Sequence, residues 1–326
     1  MEGRLLVQVL GGAAGLIILP LAADHLVLGA ARLARLMRLP PAIVGVVVIG
    51  LGTSAPEFVV SGTAAASGNA GIAAGNLVGS NILNITLVLG VAALFGTITA
   101  TSTVVNREVT VSTVCVGVFA TTITIGLNLW TGLMLCLLGA GAIALLMYWA
   151  RTDRTDTALA EQTTEFTAAE TTAPAAPVRA AREIIRTAAG LAAVLIGAQL
   201  LVTSAAAIAT RFGVPQLIIG ATLVAFGTSI PELVAAIQAR RRGETDLLIG
   251  NIFGSNLFNS LIGGGIVGLF TGPAHTVPIR PALALTMLAT AALAWLLLRR
   301  DLRLTTIEAA LLLAAYTATL PLVLTT

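Results

Sequence analysis

Charge is what this sequence has least of. Only 10% of its 326 residues are Asp, Glu, Lys or Arg, against about a quarter in an ordinary soluble domain. A soluble fold of this length could not cover its surface with so few charges, which excludes a soluble enzyme of one or two domains. Lysine is missing altogether: all 18 basic residues are arginine. Aromatic residues make up 4%, and the arginines are scattered between apolar runs, so the basic, aromatic surface that nucleic acid requires is excluded too. The two cysteines, Cys115 and Cys136, lie inside apolar runs. They form neither a disulfide framework nor a metal set and read as small buried side chains.

Long apolar runs are what the chain has instead. Residues 5–31, 41–66, 71–100 and 109–150 carry almost no charge. A bilayer core of about 30 Å needs about 20 apolar residues per helix, and these runs meet or exceed that. A β-barrel would show short alternating segments. The expected fold class is an all-α polytopic membrane protein of ten transmembrane helices, at 5–31, 41–66, 71–98, 109–126, 128–150, 184–209, 214–239, 247–271, 281–298 and 305–324. The first stretch is long for a signal sequence and reads as a retained helix.

The loops alternate in arginine. One set holds Arg32, Arg35, Arg38, Arg107, Arg151, Arg154, Arg179, Arg182, Arg186, Arg240, Arg241, Arg242, Arg299, Arg300 and Arg303; the other holds only Arg4, Arg211 and Arg280. Cytoplasmic loops carry the arginine excess, which places both termini outside. Residues 151–183, rich in Thr, Ala and Glu, cannot bury enough apolar surface to fold alone. They are expected to be a disordered cytoplasmic linker between a first half, 1–150, and a second, 184–326.

Those halves are copies. With position n set against n + 175, segments 40–90 and 215–265 are identical at 18 of 51 positions without a gap. Gly52-Thr53-Ser54 meets Gly227-Thr228-Ser229, Pro56-Glu57 meets Pro231-Glu232, and Gly75-Asn76 meets Gly250-Asn251. Further on, Gly79-Ser80-Asn81 meets Gly254-Ser255-Asn256 and Asn84 meets Asn259. Five spans per half is an odd number, so the second copy lies upside down. Inverted repeats with a midplane site are the architecture of secondary transporters.

Glu57 and Glu232 fall in the middle of spans two and seven, where an ionisable group costs roughly 2.5–3.5 kcal/mol. Thr53 lies one turn before Glu57 on the same face, and Gly50 a turn before that. Pro56 lacks an N–H and frees carbonyls around Gly50 to Thr53. The second copy offers Ala225, Thr228, Ser229, Pro231 and Glu232. Spans three and eight add a stripe, Asn76, Ser80 and Asn84, repeated as Asn251, Ser255 and Asn259. Ser80, Asn84, Ser255 and Asn259 are site candidates. Asn76, Asn81, Asn251 and Asn256 read at least as well as packing groups, and the glycines at 75, 79, 250 and 254 as packing alone. Every donor is a hard oxygen, which suits Ca²⁺, Mg²⁺, Mn²⁺ or Na⁺ rather than zinc or copper. Elsewhere, Asp24 suggests helix packing or gating and His25 a structural role. Glu108 is expected to pair with Arg107 at the surface, and Glu308 to lie at the interface.

The two motifs, Gly52-Thr53-Ser54-Ala55-Pro56-Glu57 with Gly75 to Asn84 and Gly227-Thr228-Ser229-Ile230-Pro231-Glu232 with Gly250 to Asn259, resemble those of the sodium/calcium exchanger family within the cation/calcium antiporters. The resemblance covers less than half of the chain; the other spans match only in number and hydrophobicity. It implies ten helices in two inverted halves, with a central site of several cation positions. Glu57 and Glu232, with the carbonyls of Thr53 and Thr228, would bind Ca²⁺. Ser54, Ser80, Ser229, Ser255 and the carbonyls of Gly50 and Ala225 would complete the Na⁺ positions. Spans one and six would slide as gates. Many sodium/calcium exchangers carry Asp at the position of Asn259; here Asn84 and Asn259 are both amides, which removes one potential charge.

The function expected is thus a secondary antiporter, not an enzyme, that exchanges Ca²⁺ for Na⁺ in the plasma membrane. It needs no cofactor and no partner beyond lipid and small cations, and works as a monomer. Ca²⁺/H⁺ or other cation/H⁺ exchange through the same glutamates is the alternative, since a buried carboxylate can carry a proton. A passive channel fits less well, because channels usually gather symmetric subunits. An intramembrane serine hydrolase would need a base, and His25 and His275 fall outside the repeat.

Overall fold

The computed structural model describes residues 2–152, 180–213, 225–271 and 281–324. Most of the expected linker and the first half of the seventh expected span lie outside them. The described chain is almost entirely helical, as lipid demands of a backbone that must satisfy its own hydrogen bonds. α1 (Glu2–Met37) leads into a bent pair, α2 (Pro41–Thr53) and α3 (Ala55–Ala66), then α4 (Ala70–Leu94), α5 (Ser102–Ile125) and α6 (Leu129–Thr152). The order then repeats: α7 (Ala180–Arg211), α8 (Ala225–Thr228) with α9 (Ile230–Arg241), α10 (Thr245–Thr271), α11 (Pro281–Asp301) and α12 (Thr306–Leu324).

Among the described residues, seven helices are long and apolar enough to cross a membrane, and the α2–α3 pair, bent by 45°, makes an eighth. The shorter α12 and the partly described α8–α9 fall where the last and seventh spans are expected. Several boundaries differ, α5 for example starting at Ser102 rather than 109. α1 runs to Met37 rather than 31. α7 starts at Ala180 rather than 184, so Glu183 belongs to a helix and is fully buried, held by Arg186 at 2.8 Å and Arg32 at 3.5 Å. A charge that reads as linker is kept inside by its two arginine partners.

α4 and α10 form the centre. The most apolar stretches of these two helices are 78% and 83% buried, against 17% and 22% for α1 and α7. Those two outer helices pack antiparallel along most of their length. A Cβ on Gly15 would meet the Gly197 carbonyl at 2.7 Å, and one on Gly190 would meet Leu26 N at 2.7 Å; only glycine lets the backbones come so close.

The arginine-bearing loops gather at one end. Arg35 reaches Glu244 at 2.8 Å, Arg242 reaches Asp24 at 2.7 Å, and Arg240 Nε donates to the Gly96 carbonyl at 3.0 Å. Arg107 lies over Trp149 and Arg299 over Trp295. A two-residue antiparallel ladder, β1 (Ile98–Thr99) with β2 (Arg303–Leu304), ties the loop after α4 to the turn before α12. Glu308 closes a capping box there: its carboxylate accepts from Thr305 N at 2.7 Å, and its own N–H donates to Thr305 Oγ1 at 3.4 Å. Glu108 departs from expectation: it is 5% exposed rather than a surface residue.

Candidate cation site

Each bend puts a glutamate at the start of a new helix. Ser54 (φ −79°, ψ 2°) leaves the helical conformation, and Ser229 (φ −93°, ψ 4°) does the same in the second copy. Pro56 and Pro231 follow inside the first turn, where a missing N–H costs nothing. Glu57 and Glu232 therefore sit in first turns, where the helix dipole favours negative charge. Both are 0% exposed.

The two copies bond each other's carboxylates. Ser54 Oγ donates to Glu232 Oε1 at 3.2 Å, and Ser229 Oγ donates to Glu57 Oε1 at 3.4 Å. Ser255 Oγ has both the Gly50 carbonyl, at 3.2 Å, and Glu232 Oε1, at 3.4 Å, as acceptors. Thr53 Oγ1 donates to the Ile49 carbonyl at 3.0 Å or to Asn251 Oδ1 at 3.3 Å. None of these partners is cationic, and a buried carboxylate without a counter-charge is costly.

The second stripe carries a feature that leaves no trace in the motif. In α4 the helix widens to π geometry over Asn84–Val88, and in α10 over Asn259–Gly263. The two segments occupy equivalent places in the two copies, and each opens on the candidate asparagine. π-turns inside α-helices frequently mark functional sites. A further π-turn, Gly45–Gly50, precedes the first bend.

Buried polar atoms normally find partners. Here Glu57 Oε2, Glu232 Oε2, Ser80 Oγ, both amide atoms of Asn84 and of Asn259, Asn81 Oδ1 and Asn256 Oδ1 are buried without one among the described residues. Seven of these nine atoms are oxygens, drawn from both copies, a set that suits a hard cation.

Other motif residues divide. Asn76 donates to Ser61 Oγ at 3.0 Å, a packing bond. Asn81 Nδ2 donates to the Leu77 carbonyl within α4 at 3.0 Å. Asn256 Nδ2 donates to the Asn81 carbonyl at 3.1 Å, and Ser260 Oγ lies 3.3 Å from Asn81 Nδ2; this lacing between α4 and α10 was not evident from the motif. The Gly50 carbonyl, expected to be free, accepts from Ser54 N and Ser255 Oγ, both at 3.2 Å. Thr228 is 7% exposed, and Ala225 opens α8. Gly250 and Gly254 press on α2, a Cβ on Gly254 meeting Val46 Cα at 2.6 Å. Gly75 and Gly79 meet no described atom within 4 Å; their repeat-related neighbours would be 217 and 221, outside the described residues. His25 is exposed on α1.

Two repeated halves whose bent helices meet over a buried set of carboxylate, hydroxyl and amide oxygens define a polytopic membrane exchanger. The chain belongs to the sodium/calcium exchanger protein family, which matches residues 7–148 and 183–325. It superposes on the sodium-calcium exchanger NCX_Mj soaked with 2.5 mM Na⁺ and 10 mM Sr²⁺ with a TM-score of 0.83 and 26% identity, covering 97% of this chain and 99% of that one. NCX_Mj soaked with 2.5 mM Na⁺ and 0.1 mM Ca²⁺ gives 0.82 and 28%, over 96% and 97%. Inner membrane protein YrbG of Escherichia coli is 44% identical over 94 residues, 29% of each chain. Sodium/calcium exchanger MaX1 of Methanosarcina acetivorans is 39% identical over 80 residues, 24% of this chain and 23% of its own. Each of these curated relatives is thus matched over less than a third of its length.

Proposed function

We propose that the chain exchanges Ca²⁺ for Na⁺ by alternating access at a midplane site built on Glu57 and Glu232. One observation carries this: each buried carboxylate has one oxygen bonded by the other repeat's serine and one left unbonded, with no cationic partner among the described residues. Two such charges balance one divalent ion or two monovalent ones, so the site is costly empty and tolerable with either load. Glu57, Glu232 and the carbonyls of Thr53 and Thr228 hold Ca²⁺. Ser54, Ser80, Ser229, Ser255 and the carbonyls of Gly50 and Ala225 serve Na⁺, and Asn84 and Asn259 lend neutral oxygens. The outer pair α1–α7 slides to open one face at a time. The arginine-rich end and the segment 153–179 that joins the two halves face the cytoplasm of a cell membrane, both termini lie outside, and one chain suffices.

Ca²⁺/H⁺ exchange is the second possibility. The neutrality of Asn84 and Asn259 favours it, because only the two glutamates then titrate in the motifs. Ca²⁺ uptake into vesicles, with Na⁺, K⁺ and H⁺ gradients varied separately at clamped potential, separates the two. Flux driven by Na⁺ is expected. Flux that persists without Na⁺ and follows a pH gradient selects the proton, and no gradient-driven flux under any condition refutes exchange.

A further inference from the structure

At the arginine-rich end α1 is tied to the turn between α9 and α10. Arg242 donates to both oxygens of Asp24, each at 2.7 Å, and Arg35 pairs with Glu244 at 2.8 Å. On the far side of the Asp24–Arg242 pair, the Gln238 amide donates to the Pro20 carbonyl at 3.0 Å. The repeat supplies an internal control. The repeat register carries Asp24, Arg242, Arg35 and Glu244 onto Gln199, Ser67, Thr210 and Asn69, none of which is charged. Residues 63–71 contain no charge at all, and 195–213 only Arg211. The repeat-related positions therefore lack the charges to build the same ties.

We propose that the Asp24–Arg242 and Arg35–Glu244 pairs form a fastener that holds the α1–α7 unit against the body at its arginine-rich end and biases the protein toward the state closed there. This rests on the alternating-access mechanism above. For that end to open, α1 must leave the α9–α10 turn and both pairs must separate; the repeat-related positions at the opposite end carry no charges to form the same two pairs. The bidentate geometry at Asp24 fixes orientation as well as distance. The side chains are partly exposed, 31% and 40% in one pair, 36% and 16% in the other, so each pair shifts the balance by only about threefold. Asp24, Arg35, Arg242 and Glu244 are positioning residues: none touches the candidate cation site.

Cross-linking tests the separation. In a chain with Cys115→Ser and Cys136→Ser, Asp24→Cys and Arg242→Cys are bridged by a short reducible bis-thiol reagent. Ca²⁺ flux should be lost on bridging and return on reduction. Full flux through the bridged protein overturns the proposal. Without bridging, Asp24→Asn and Glu244→Gln should each lower the apparent KM for Ca²⁺ about threefold at the arginine-rich face and not at the opposite face. Equal shifts at both faces, or none, mark a merely structural contact and overturn it. Amide hydrogen exchange reads the fastener without transport: residues 20–37 and 238–246 should exchange faster in both variants while α4 and α10 keep their protection, and unchanged exchange there overturns it. A wild-type protein that carries no flux but shows this exchange pattern refutes the exchange function and leaves the fastener standing.

Discussion

Around the two glutamates the halves of this molecule are near copies, and one turn further out they part. Ser54 bonds Glu232 as Ser229 bonds Glu57, and the π-turns at Asn84 and Asn259 begin at equivalent positions of the repeat. Yet Ser255 reaches both the Gly50 carbonyl and Glu232, whereas Ser80, its counterpart, is buried and unbonded among the described residues. The ends differ more: one carries two ion pairs, and the repeat-related positions 67, 69, 199 and 210 hold no charged residue to make them. A protein that binds the same ions from either face needs like chemistry in both halves. A protein open to one face at a time needs unlike packing. The copies agree where ions would touch and differ where helices would move.

The largest test removes a charge from each half. Glu57→Gln and Glu232→Gln should each lower Ca²⁺ flux by about 100-fold or more, since one of two charges facing a divalent ion is worth several kcal/mol even at an effective dielectric near 20. Vesicle uptake with protein levels matched measures it. Equal losses keep the two halves equivalent at the site; substantial flux in either variant removes that glutamate from it.

Packing comes next. Gly250 abuts Ala42 and has no room for a methyl group. Gly250→Ala should cost about 1–3 kcal/mol of stability, as overpacking a tight contact usually does. Thermal unfolding in detergent reads it, and an unchanged Tm would mean that α10 does not press on α2 there.

The smallest effect concerns the serines. Ser255→Ala removes a bonded hydroxyl and should lower stability by about 1 kcal/mol. Ser80→Ala removes an unbonded one and should leave the ion-free Tm unchanged, while reducing the Tm gain that Ca²⁺ or Na⁺ confers. A fall in ion-free Tm for Ser80→Ala as large as for Ser255→Ala would erase the difference between the copies.

Much of this was legible beforehand because lipid allows so few solutions. Apolar runs of the required length, alternating arginines and a motif read twice lead to a polytopic helical exchanger with two repeated halves, and the two glutamates they single out are both buried. The arginine-bearing loops do meet at one end, as the alternation predicts. Legibility failed where a residue's role depends on a distant partner. Glu183 looks like linker until Arg32 and Arg186 are seen to hold it. Glu108 looks like a surface charge and is buried. The Gly50 carbonyl looks free until Ser255, far along the chain in the other half, is found donating to it.

The sequence by itself determined the class and the repeat and singled out the residue types of the candidate site, because these follow from period, length and the cost of charge in a bilayer, which are local or additive quantities. Only the tertiary structure decided which serine faces which carboxylate, that the helices widen at Asn84 and Asn259, and that Asp24 meets Arg242 and Arg35 meets Glu244. Hydrogen bonds and ion pairs reach only a few ångströms, and segments from opposite halves of the chain come that close only once the two halves have packed together.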